Sequence, residues 1–223
     1  MRILAQPRDV REPAAGADDG SEMLAAVKLT PWRLVQLFGG CVVLGLGVAM
    51  LLTADLGSDG YSTLVNGISI GGHIEFLVAN IAVSLGFLLI AATRKLRPGI
   101  GTLVQIVVVG FTVSWLLEVL ETPGTVLGQA VLLAAAFPVL ALGIAAYLGT
   151  NLGAGPAEAA ALAWDPPVPF KWSYSAVQGL GALVGWLLGA TIGPGTLAVI
   201  LLLGPAVDLT SRLLHLDVHQ NRL

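Results

Sequence analysis

Across 223 residues, hydrophobic side chains make up 56% and charged ones 11%, with a mean hydropathy of +0.85. That balance excludes an ordinary soluble domain and places the chain in a bilayer. A net charge of −3 and a pI near 5.5 exclude a nucleic-acid binder, because the 11 Lys and Arg are few and mark topology instead.

Residues 1–30 mix Arg2, Arg8, Arg11 and Lys28 with Asp9, Glu12, Asp18, Asp19 and Glu22, and carry no signal-peptide core. A disordered cytoplasmic tail is expected there. From Leu34 the apolar runs reach the roughly 20 residues, at about 1.5 Å each, that a helical crossing needs. Spans are predicted at 34–54, 73–93, 101–120, 127–149, 173–190 and 196–214, with Trp32 as an interfacial anchor before the first. Residues 215–223 follow as a second cytoplasmic tail. Pro138 and Pro205 are expected to kink their spans.

Two motifs occur twice. GVAMLLTADLGSDG at 47–60 returns as GIAAYLGTNLGAGP at 143–156, pairing Asp55 with Asn151 and Gly57 with Gly153 at a spacing of 96. RPGIGTL at 97–103 returns as TIGPGTL at 191–197, at a spacing of 94. Same order and near-equal spacing indicate an internal duplication, with membrane repeats at 31–125 and 126–214. Each copy holds three predicted spans. An odd number forces the second copy to enter from the opposite face, so the repeats are expected to be inverted. With both termini inside, all 11 Lys and Arg fall on the cytoplasmic side, which fixes the expected orientation in the membrane.

After each first span the chain breaks at Gly and runs through a segment too short to cross, 59–70 and 155–164. Pro156 suits a first helical turn. Helix N-termini in such segments suit anions or polar solutes. Length arithmetic leaves both a re-entrant and an interfacial placement open.

The AxLG pattern at 54–57, PGIGT at 98–102, LGAGP at 152–156, and GPGT at 193–196 followed by Gly204-Pro205 resemble the YczE/YitT type of uncharacterised bacterial multi-pass membrane protein. The resemblance covers about residues 33–212 and implies fold and location, without a settled substrate. Where such proteins carry Gly-x-x-Pro in the first turn, this chain has Gly57-Ser58-Asp59-Gly60, which leaves a Pro-started helix unsupported at that point.

Candidate substrate-binding residues are Asp55, Gly57, Ser58, Asp59, Asn151, Gly153, Gly155, Pro156, Glu158 and Asp208. Each also has a plainer reading. Asp55 and Asn151 suit turn caps, Asp59 and Glu158 complement a helix dipole, and Asp208 can pair with Arg212 one turn on. Asn66, Asn80, Gln105 and Gln178 suit either a polar path or helix-to-helix hydrogen bonds. The glycines at 181, 185 and 189 suit a helix contact or a dimer seam. No Walker loop, dinucleotide fingerprint or metalloprotease motif is present, so no enzyme activity, cofactor or metal is expected. The reading is a secondary transporter or channel-like permease for a small solute, with a homodimer expected because six short spans enclose little volume. The alternative is a non-transporting scaffold or accessory subunit.

Overall fold

The computed structural model describes residues 30–94, 98–164, 167–168 and 170–216; for Leu162, Phe170, Lys171, Gly204 and Asp208 the backbone alone is described. Both terminal tails therefore lie outside it, apart from Thr30, His215 and Leu216. Among the described residues the chain is all helix: α1 Pro31–Ala54, α2 Gly60–Gly72, α3 Phe76–Thr93, α4 Ile100–Val119, α5 Val126–Leu148, α6 Pro156–Leu162, α7 Phe170–Leu187 and α8 Pro194–Leu213.

Each expected span is helical within a few residues, because a long apolar run in lipid must satisfy every backbone group internally. Helices α1, α3, α4 and α5 are long and apolar enough to cross a bilayer, and α8 adds a fifth if its two arms, bent by 44° between Leu203 and Pro205, count as one span. Pro138 is carried inside α5, which continues as one helix. The chain is a membrane-embedded multi-pass protein. Its outer faces agree with that solvent, since Leu89, Phe111, Leu127, Leu180 and Leu201 are each more than 60% exposed.

Helix α1 is the core. Leu37, Cys41, Ala49 and Leu51 on it are essentially sealed, packed against α5 on one side and α4 on another. Close approach of α1 and α5 comes from reciprocal glycines. A Cβ on Gly47 would lie 2.7 Å from Leu140 Cγ, and one on Gly143 would lie 2.5 Å from the Leu44 nitrogen. Gly40 in turn faces Ala146 and Tyr147. Residue numbers rise along α1 as they fall along α5, so the two helices run antiparallel.

The two duplicated turns are built alike. Asp55 and Asn151 both sit in the left-handed region, at φ 54° and 53°, where short polar side chains are tolerated. Gly57 and Gly153 follow at φ 95° and 143°. Each turn docks on the start of the last helix of the other half. Leu56 C=O accepts from Gly195 N–H at 2.8 Å, and Leu152 C=O accepts from Gly101 N–H at 2.8 Å. A Cβ on Gly57 would meet Thr196 Oγ1, and one on Gly153 would lie 2.8 Å from Thr102 Oγ1. Glycine is required at both places for conformation and for space together.

The short helices are held by the opposite half as well. Gly60 lies against Gln178 and Gly181, Gly67 against Gly185, and Gly71 against Leu188, so α2 runs parallel to the second half of α7 with backbones touching. The Gly181 and Gly185 face is thus a contact within the chain. Helix α6 starts with Pro156 as its first residue, as expected, and packs on α3 and α7. Its exit is fixed where the Arg94 guanidinium stacks 4.5 Å over the Trp164 ring.

Candidate functional site

Helix α2 begins beside Gln178, midway along α7, and not at the end of a neighbour. The Asp59 carboxylate accepts from Ser62 N–H at 3.0 Å, which caps α2 and takes up a donor that would otherwise attract an anion. Gln178 Oε1 accepts from Tyr61 N–H at 3.0 Å, and its amide nitrogen donates to the Tyr174 hydroxyl at 2.8 Å. Tyr174 lines one cavity with Glu158 of α6. A polar chain therefore runs from the start of α2 onto α7, next to the start of α6.

A second chain faces it. The Tyr61 hydroxyl donates to Asn80 Oδ1 at 2.9 Å and lies 2.8 Å from Ser84 Oγ, while Asn80 Nδ2 donates to Ile106 C=O at 2.8 Å. Asn80 and Ser84 on α3 correspond, at a spacing of 94, to Tyr174 and Gln178 on α7. In the first half this pair meets Tyr61 of its own short helix, whereas in the second half Gln178 accepts from Tyr61 N–H of the opposite one.

Between these chains lies a cavity. Its polar lining is Asp59, Tyr61, Ser62, Asn80, Gln105, Tyr147, Glu158, Tyr174 and Gln178; Leu44, Val48, Phe76, Val109, Leu140, Ile144 and Leu203 form much of its apolar wall. Both short helices and the helices around them contribute. The space open to the centre of a water-sized sphere is about 80 Å³. At about 10–15 Å³ per water by that measure, it holds roughly half a dozen waters or one small polar molecule.

Asp59 and Glu158 keep part of their surface on this cavity while being enclosed by protein on all other sides. Glu158 also folds over Gly155, where any Cβ would overlap its carboxylate and approach Tyr147 Oη at 3.3 Å and Gln105 Nε2 at 3.4 Å.

The remaining sequence candidates divide between places. Asp55, Gly57 and Ser58 line a separate pocket of about 20 Å³ with Asn66 and Thr191, room for a single water. There Asp55 accepts from the Thr191 hydroxyl, and Ser58 Oγ lies 2.9 Å from Thr63 Oγ1. Gly153 packs at the start of α4, and Asn151 Oδ1 is buried with no partner among the described residues. Pro156 lines the cavity. The side chain of Asp208 lies outside the described residues. The sequence reading did not single out the tyrosines, yet the chain has three and all three line this one cavity.

The family model that matches residues 31–212 describes a family of unknown function, DUF6198. The chain belongs to this family. This DUF6198 member is 26% identical over 168 residues to an uncharacterised protein of Haemophilus influenzae, covering 74% of this chain and 77% of the relative. It is 22% identical over 178 residues to the uncharacterised membrane protein YczE of Bacillus subtilis, covering 77% and 82%. The resemblance to the YczE type read from the turn motifs therefore holds. No solved structure matches the chain. The match to DUF6198 takes in every element that lines the cavity.

Proposed function

We propose that this chain is a small-solute permease of a bacterial plasma membrane, without enzymatic activity, built from two inverted three-span repeats with both termini cytoplasmic. In this reading α1, α3, α4, α5, α7 and α8 cross the bilayer, and α2 and α6 are re-entrant. Supporting the six crossings is the lipid-type exposure of Leu180, Val184 and Leu187 on α7, despite the polar residues that lower its apolarity. Supporting the inversion are the antiparallel α1 and α5 and the exchanged docking of the two turns.

The observation that carries the function is the polar cavity between the halves, bordered by the starts of both short helices. Polar and ionisable groups inside a membrane are costly, and a set enclosing open space is expected to serve a solute path. Packing alone would have closed that space with apolar side chains.

Purified protein in proteoliposomes, driven by solute jumps on a solid-supported membrane, tests this. Saturable, protein-dependent currents or counterflow are expected for at least one class in a panel of small cations, anions and neutral solutes. Silence across the panel from folded protein favours the alternative of a scaffold or accessory subunit.

A further inference from the structure

The chemistry of the lining narrows the solute; transport of that solute rests on the permease reading, whereas its binding does not. Among the described residues around the cavity there are two carboxyl groups and no Lys, Arg or His. Three tyrosines and Phe76 supply four aromatic rings in a chain with only 6% aromatic residues. The N-terminus of α2, the usual attraction for an anion, is already occupied by the Asp59 carboxylate. Two buried carboxylates with no basic partner among the described residues repel each other and lack a counter-charge there, which a low-dielectric site tolerates poorly. An anion entering here adds to that cost, whereas a cation relieves it and meets ring faces on the way.

We propose that the central cavity binds a small monovalent organic cation, an alkylammonium of a few heavy atoms, with Glu158 and Asp59 as counter-charges and Tyr61, Tyr147, Tyr174 and Phe76 as its aromatic surround. Size follows from the cavity, which accommodates methylammonium or ethylammonium but not a bulky quaternary amine. Acceptors for the ammonium N–H groups are the two carboxylates together with the Gln105 and Asn80 carbonyl oxygens.

Equilibrium binding to purified wild-type protein, read by tryptophan fluorescence or calorimetry, tests the charge and size together. Methylammonium and ethylammonium are expected to bind at least tenfold more tightly than acetamide, acetate or tetraethylammonium. Glu158→Gln is expected to weaken ethylammonium at least tenfold, with thermal unfolding used to verify that the variant is folded. Equal binding of acetate or acetamide by the wild type overturns the proposal without recourse to any variant. So does wild-type affinity for ethylammonium in folded Glu158→Gln. Binding of ethylammonium with no flux in proteoliposomes leaves this site standing and removes the permease reading; flux of an anion with no cation binding does the reverse.

Discussion

Gly181→Ala is expected to lower the unfolding temperature in detergent by several degrees, while Gly179→Ala, on the same helix, leaves it unchanged or raises it. The two positions differ in what a methyl group would meet. At Gly181 a Cβ would lie 2.6 Å from the Gly60 carbonyl oxygen and 3.0 Å from its carbon, both backbone atoms of α2 that no rotamer change can move. At Gly179 nothing lies within 4 Å. Overpacking of this kind costs about 1–3 kcal/mol, whereas Gly to Ala in an open helix position gains about 0.5–1 kcal/mol. At about 2–4 °C per kcal/mol for a chain of this size, the two variants separate clearly in one thermal scan. The expected loss at Gly181 also has a functional side, because shifting α2 along α7 moves Tyr61 off Gln178. If both alanine variants unfold together, α2 and α7 do not touch backbone to backbone.

The second large effect concerns Asp59, whose carboxylate both caps α2 and lines the cavity. Substitutions separate these roles. Asp59→Asn keeps a side-chain oxygen for the Ser62 N–H and removes the charge, so its stability is expected to stay near wild type while ethylammonium flux falls at least tenfold. Asp59→Ala removes both, and is expected to lose about 1 kcal/mol of stability in addition. A carboxylate that served only as a cap gives a different pattern, in which Asn retains flux and stability alike and Ala loses only stability. Thermal unfolding and flux measured on the same preparations distinguish the two.

Much of the architecture was legible from the residues because lipid imposes a simple rule. Long apolar runs must become helices, and polar or glycine-rich breaks must mark their ends, so the six long segments and the two short ones appear where apolarity starts and stops. The duplicated turns were legible for a local reason: a left-handed position after a helix accepts few residue types, and Asp55 and Asn151 share that need. That same reason misdirects a search for the site. Residues conspicuous by duplication fulfil the turn, and the cavity is lined by residues four to seven positions further on, from Asp59 to Ser62 and from Pro156 to Glu158. The polar pairs at Asn80 with Ser84 and Tyr174 with Gln178 sit at equivalent places without being alike in type, so sequence comparison of the halves passes over them. The tyrosines carried a signal that a count would have raised, since residues 61, 147 and 174 all fall on or beside elements adjoining the short helices. Whether Gly181 and Gly185 face another helix of the chain or a second copy depends on which helix arrives there, and periodicity holds no information on that.

The central claim is that one water-accessible cavity, bordered by both short helices, is the solute path. Cys41 is the only cysteine and is buried, so Cys41→Ala provides a background in which single cysteines report alone. Ser62→Cys and Ala157→Cys then place one thiol on each short helix at the cavity wall. Reaction with a charged, water-soluble thiol reagent in membranes is predicted at both positions, and ethylammonium is predicted to slow both. Absence of reaction at both sites, with a control cysteine at the exposed Thr191 position fully modified, contradicts the account.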